Sequence, residues 1–216
     1  MVVSQTPRIT AIEQQKKDPR RYAIFIDGEF AAGVSEEVIV RLNLRAGEPM
    51  TAPRRAELAA AEQDNQTRQA ALKLLEYRAR SRQELVRRLH KKDLPADSVR
   101  RVVADLERSG LIDDEQFARQ LTRSLMSGKY LGARAILSKL RQAGVDLELA
   151  RQVCEDELGQ YDEQSRAEQA ASQHLPRLAA QDPATRRQRL YGYLQRRGFP
   201  HHIISEVIQK LGAEER

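Results

Sequence analysis

The chain has one cysteine in 216 residues, no tryptophan and only 5% aromatic residues. A lone cysteine excludes an internal disulfide, and Cys154 falls in an apolar stripe, which predicts a core thiol rather than a nucleophile. The four histidines, His90, His174, His201 and His202, show neither an H-x-x-x-H pair nor a Cys/His spacing. Surface positions and no metal site are therefore expected. No apolar run approaches the length of a membrane span, and the N-terminus has no apolar signal-peptide core, so a cytoplasmic protein is expected, away from membranes. There is no GxxxxGKS or GxxxxGKT loop, no GxGxxG after a strand and no GxSxG. With no catalytic constellation in sight, the chain reads as a non-enzyme without a cofactor.

What is present is charge. A formal net charge of +6 and 31% charged residues suit a protein with an anionic partner, for which nucleic acid is the usual candidate. The excess is local. Residues 65–110 carry +6 (12 Lys and Arg against 6 Asp and Glu), whereas residues 1–64 and 111–160 each carry −1 (9 against 10, and 7 against 8). Residues 161–216 carry +2 (9 against 7).

The same basic stretch founds an internal repeat. Leu85, Leu89, Leu94, Val99, Val102, Val103 and Leu106 make two short helical stripes broken by a turn at Lys92–Pro95. Their spacing recurs at Ile136, Leu140, Val145, Ala150, Val153 and Cys154, where only the seventh position fails, being Glu157. It recurs in full at Leu190, Leu194, Phe199, Ile204, Val207, Ile208 and Leu211. The copies start 51 residues apart (136 minus 85) and then 54 apart (190 minus 136). Each is preceded by a further helical stretch, at 65–79, 113–126 and 162–180, which Pro176 shortens or kinks. Three tandem three-helix units follow, stacked as neighbours.

Ahead of the repeats the pattern changes. Residues 1–20 read as a flexible, irregular tail. Tyr22–Ile26, the Asp27–Gly28 turn signal and Glu29–Val34 read as a β-hairpin, and Ser35 can cap a short helix over Glu36–Leu42. Residues 51–64 form a helical linker that is polar nearly all round, with little to bury, and suited to project or bridge. The predicted fold class is mainly α, three tandem three-helix repeats at 65–110, 111–160 and 161–216 behind a small β-hairpin and helix at 21–50.

Candidate binding residues are the cations. On the helix from Gln83 to Lys91, Arg87, Arg88 and Lys91 face away from Leu85 and Leu89. The places in register are Ser138, Lys139 and Gln142 in the second repeat and Gly192, Tyr193 and Arg196 in the third, a strong, then weak, then moderate basic face. Arg80, Arg82, Lys92, Arg100 and Arg101 lie nearby in sequence, so the first repeat should neutralise several phosphates in a salt-sensitive, sequence-tolerant way. The alternative is a merely solvated helix face. Lys129, in the glycine-flanked Gly128–Gly132, reads either as part of a phosphate loop or of a plain interhelical turn. Gly110 reads as a helix C-cap, Leu111 and Ile112 as core residues, and Asp113 or Asp114 as the cap of the next helix, with no metal required.

The residues of 70–158, above all SRQELVRRLHKKDLPADSV, GLIDDEQFA and KYLGARAILSKLRQAGV, resemble the RecX family of bacterial recombination regulators. YAIFIDGEFAAGVSEEVIVRLNLRAGEPM is similar to the leader that longer members carry. The resemblance implies an all-helical repeat array without enzymatic activity that binds the RecA recombinase. Such a protein lies in the groove of the RecA filament on single- or double-stranded DNA with little sequence preference, and inhibits filament growth, strand exchange and ATP hydrolysis. A monomer is expected. In that setting Arg87, Arg88, Lys91, Arg134, Lys139, Arg141, Arg196 and Arg197 form the stripe towards filament or DNA.

The rival reading is a helix-turn-helix transcription regulator that reads bases in the major groove. Its recognition helices would begin at Pro95, Asp146 and Pro200, two of them with acids in the first turn that repel phosphates. A third reading is a helical adaptor whose charge serves solubility alone.

Overall fold

The structure is a computed structural model that describes residues 6–128, 130–159 and 162–214. Its elements in order are β1 (Ile9–Gln14), β2 (Arg21–Ile26), β3 (Glu29–Ser35), α1 (Glu36–Leu42), α2 (Ala52–Tyr77), α3 (Arg82–His90) and α4 (Ala96–Arg108). Then come α5 (Asp114–Gly128), α6 (Ala133–Gln142), α7 (Leu147–Leu158), α8 (Glu163–His174), a 3-10 turn (Leu175–Leu178), α9 (Pro183–Arg196) and α10 (His201–Glu214). The chain divides into two compact units, residues 1–78 with 85–109, and residues 79–84 with 110–216.

In the first unit the hairpin forms where Asp27 and Gly28 both take positive φ (48° and 87°), the backbone that a two-residue turn needs to follow the strand twist. The sheet, however, has three antiparallel strands in the order β1-β2-β3. Residues 9–14 are thus a strand and not part of an irregular tail. The reason is pairing outside the hairpin: β1 runs along β2 from Ile9↔Ile26 to Gln14↔Tyr22 across a bulge, and the Ile9 amide also donates to the Glu48 carbonyl (2.9 Å). Ile9, Ile24, Ile26, Val34 and Val38 form one side of a core whose other side is Leu58 and Ala61 of α2.

That packing corrects the expectation that residues 51–64 project as a bridge. They are the first half of a single 26-residue helix, started by Thr51, whose hydroxyl accepts from the Arg54 amide. The helix docks on the sheet through a narrow apolar strip. Glu62, inside that strip, is 8% exposed. It is fully used: Arg21 pairs with it at 3.0 Å, and the Ser35 amide (2.9 Å) and hydroxyl (3.2 Å) donate to it. Ser35 therefore sits at the N-cap of α1 but spends its side chain on α2. Glu62→Ala should lower stability by about 2 kcal/mol, because it strands the Ser35 amide and a half-buried guanidinium. A thermal melt that matches the parent would show that this clasp is idle.

The repeat positions read from sequence are the core positions. Of the residues in register, all are buried except Leu94, Cys154, Glu157 and Leu211, which are half-buried. In each unit the middle turn holds one residue in positive φ at the same register: Asp93 (56°), Gly144 (91°) and Gly198 (86°). The long α2 serves as first helix for α3 and α4, and is bound to α4 by Thr67–Ser98 (2.8 Å), Arg68–Asp105 (2.9 Å) and Arg101–Asp64 (2.9 Å).

Within the second unit, one joint occurs twice. The Ser81 hydroxyl donates to the Ala143 carbonyl at 2.5 Å, and the Gly132 amide donates to the Arg197 carbonyl at 2.9 Å. These pairs are in register, Ser81 with Gly132 and Ala143 with Arg197. In both, the middle turn of one repeat is set against the residues that open the second helix of the repeat before it.

The seventh repeat position fails at Glu157 for a visible reason. Its carboxylate receives Arg123 at 2.7 Å and Arg119 at 3.3 Å, both from α5, and Arg123 above all holds its pKa below the usual glutamate range. An ion-pair clasp between α5 and α7 stands at that position, and the leucine contact falls one place later, at the half-buried Leu158. Leu111 also departs from expectation: it is 55% exposed, and only Ile112 enters the core. Asp113 caps α5 as expected, accepting from the Gln116 amide at 2.8 Å.

Candidate functional site

The cations read from sequence separate into those the fold consumes and those it leaves outward. Arg80 is 5% exposed and paired with Glu84, so it belongs to the interior and is corrected out of any surface stripe. Arg101 is held in a two-pronged bond to Asp64 (2.9 and 3.0 Å), which burial would raise but Arg101 and Ser98 keep below the usual aspartate range. Arg100 pairs with Asp97 at 2.8 Å. Lys129 lies outside the described residues.

In the first unit Arg87 and Arg88 are exposed on α3, with Lys91 and Lys92 exposed in the turn after it. With about 100° per residue, Arg87 and Lys91 share one side and Arg88 flanks it. Among the described residues no acid is paired with Arg87, Lys91 or Lys92.

In the second unit Arg134 and Arg141 come together. They line a cleft of about 550 Å³ with Leu137, Ser138, Gln142, Leu147 and Arg151, and no acid is part of that lining. Arg151 pairs at 3.0 Å with Glu148, one residue outside it. Sequence reasoning missed Arg151, although it stands 51 residues after Arg100 and so at the same register of the repeat. Lys139 is exposed but leaves this group, being turned well round the helix from Arg134 and Arg141. Arg82 meets Arg141 along a second cleft that also holds Asp114 and Asp146, and the Arg82 amide donates to Asp114 at 2.7 Å.

The third repeat uses its cations differently. Arg197 lies 4.9 Å over the Tyr193 ring and donates to the Tyr130 carbonyl at 3.3 Å, so it serves the joint. Arg196 lines a cleft with His174, Leu178, Thr185, Gln188, Arg189 and Gly192. His174 is half-buried and stacked on Tyr193 at 3.8 Å, which corrects the expectation of a surface residue. Burial, then Arg177, Arg197 and Arg196, push its imidazole below the usual value. His201 bonds the Tyr191 hydroxyl at 2.9 Å. The Cys154 thiol packs against the second-repeat core, and burial raises its pKa, the opposite of an activated nucleophile. Among the described residues no cluster of three metal-ligating side chains occurs, and no helix is long and apolar enough to cross a membrane.

Comparison with known proteins accounts for the whole arrangement. Residues 7–51 match the regulatory protein RecX N-terminal domain, and residues 68–106, 113–153 and 160–208 match the first, second and third three-helix domains of RecX. Regulatory protein RecX of Amycolatopsis mediterranei is 31% identical over 163 residues, which is 74% of this chain and 93% of the relative. That of Staphylococcus carnosus is 26% identical over 211 residues, 96% of this chain and 77% of the relative. A crystal structure of regulatory protein RecX superposes with a TM-score of 0.76 at 26% identity, covering 93% of this chain and 98% of the other. RecX from Lactobacillus salivarius does so with a TM-score of 0.60 at 25% identity, covering 71% and 99%. With an N-terminal sheet domain and three three-helix domains each matched in order, the chain belongs to the RecX family of regulatory proteins.

Proposed function

We propose that this protein regulates homologous recombination and DNA repair by binding the RecA recombinase filament on DNA and limiting its growth, ATP hydrolysis and strand exchange. The observation that carries the reading is the match of all four RecX domains along one chain. Physical features support it. Tandem units suit a polymeric partner, because several weak contacts act together on a filament and cannot all be made on a free subunit. Outward cations on α3 and in the α6–α7 cleft suit phosphates met without base reading. The protein acts in the cytoplasm, as a monomer and without catalysis of its own.

Base reading by a helix-turn-helix is opposed by the helix starts. The first turn of α7 is capped by Asp146, which accepts from the Glu148 and Leu149 amides, so an acid occupies the end that would meet the groove. Titration into RecA hydrolysing ATP on single-stranded DNA tests the proposal. Inhibition at substoichiometric amounts is expected. Unchanged hydrolysis together with failure to sediment with filaments would overturn it.

A further inference from the structure

We propose that the groove between the edge strand β3 and α2 docks an extended segment of another protein, which adds to the sheet as a further strand. The segment it fits has alternating apolar residues between cationic ends. The groove lies within the first unit, and the proposal goes beyond the filament reading without resting on it.

Strand β3 is the last in the order β1-β2-β3, so among the described residues one of its sides carries no ladder. Edge strands are ordinarily blunted by lysine, by proline or by a charge pointing into the sheet. Between Glu29 and Ser35 the sequence is Phe-Ala-Ala-Gly-Val, which holds none of these. The strand is bent by a bulge, since its register with β2 passes from Ile24↔Ala32 to Phe25↔Phe30 and skips Ala31. Phe30, next to the bulge, stays 62% exposed, with only an edge-to-face contact to Phe25 at 6.1 Å between ring centres.

Beside β3 runs a groove of about 570 Å³ whose other wall is one face of α2: Arg55, Leu58, Ala59 and Glu62, at the i, i+3, i+4 and i+7 places that share a side of a helix. Its depth is apolar, with Ile26, Val34 and Leu58 buried, while Ala31 and Ala59 are exposed at the rim. Arg21 ties the two walls together, pairing with Glu62 at 3.0 Å and donating to the Gly33 carbonyl at 2.8 Å. A strand edge beside a helix face is the geometry that takes up an extended peptide: main-chain bonds to the edge hold it, and every second side chain enters the trough. Charge names the occupant. Residues 22–40 contain four acids, Asp27, Glu29, Glu36 and Glu37, all exposed, and no lysine or arginine. These acids bracket β3 at both ends, and Arg55 is the one cation among the described lining residues. Such ends attract a cationic segment and repel nucleic acid. A second copy paired antiparallel through β3 would set the acidic ends against each other, which disfavours self-pairing.

Fluorescence anisotropy of the full chain with a labelled synthetic peptide, valine alternating with threonine between lysine pairs, tests this without recombinase or DNA. The peptide is expected to bind about tenfold or more tighter than a twin flanked by glutamates. Ala59→Gln fills the trough from an exposed helix position without changing charge, so it should weaken binding by about tenfold and leave the melt unchanged. Glu29→Lys, also exposed, should weaken it by about threefold. N-methylation of alternate peptide amides should abolish binding, because the main-chain bonds to β3 are lost. Equal binding of the two twins, no binding by the parent, parent-like affinity of Ala59→Gln or retention of the N-methylated peptide would each overturn the proposal. So would a concentration-dependent dimer that Ala59→Gln abolishes, which would assign the groove to a second copy. Binding of a labelled oligothymidine that Ala59→Gln abolishes would likewise assign it to nucleic acid.

Discussion

A variant carrying Arg87→Glu, Arg88→Glu and Lys91→Glu is expected to melt with the parent and to lose its hold on the RecA filament. Folding should survive because the three side chains are exposed and the core face of α3, Leu85 and Leu89, is untouched. Binding should fail because cations in this patch would become anions facing a polyanion. With about three phosphate contacts removed, the dependence of log affinity on log salt should flatten by about two to three, and low-salt affinity should fall on the order of 100-fold. Arg101→Glu is the informative control. It also reverses one cation of the same repeat, but it breaks the pair with Asp64 and should therefore reduce stability more than binding. Filament binding and salt slope measured on both variants separate a charged face from a charged scaffold. A triple reversal that still inhibits RecA hydrolysis would sink the assignment of this patch.

The helical array was legible because it is written three times. A single pair of stripes is ambiguous, but seven positions recurring at a fixed spacing name the core directly, and those positions are buried or half-buried in the structure. What stayed hidden depended on partners remote in sequence. β1 carries β-branched residues of its own (Ile9, Thr10 and Ile12) but ends in a polar stretch, and it is a strand because Ile26 to Tyr22 and the Glu48 carbonyl lie beside it. The first half of α2 reads as polar because its two main apolar contacts, Leu58 and Ala61, are too few to make a stripe, and Glu62 beside them is held, besides Gln66 one turn on, by Arg21 and Ser35 from far back in the chain. Among the cations, charge and exposure were readable but pairing was not. Arg80 and Arg87 look alike in sequence, yet one is sealed against Glu84 and the other faces outward.

Gly198→Ala is expected to be the most damaging single-methyl substitution in the second unit, and Gly132→Ala its revealing companion. At Gly198 two costs combine. The residue is at φ 86°, where an L side chain is strained by about 1–2 kcal/mol. Its Cβ would also strike the α6 backbone and lie 2.6 Å from the Ala135 Cβ, an overpacking that adds about 1–3 kcal/mol. Gly132 isolates the second cost. Its φ is −80°, which any residue accepts, so conformation alone predicts no harm. Yet a Cβ there would lie 2.5 Å from the Gly198 carbonyl oxygen and 2.8 Å from the Phe199 nitrogen, both backbone atoms that cannot rotate away. Gly132→Ala should therefore destabilise by about 2 kcal/mol through the joint itself. Gly28, at φ 87° with open space around the missing Cβ, supplies the converse: Gly28→Ala should show strain without contact, about 1 kcal/mol, and leave the second unit unaffected. Denaturant melts of the three variants, with hydrogen exchange reporting on α6 and α9, give the comparison. If Gly132→Ala matches the parent, the repeats are not held by close backbone approach, and the apolar faces alone must fix their stacking.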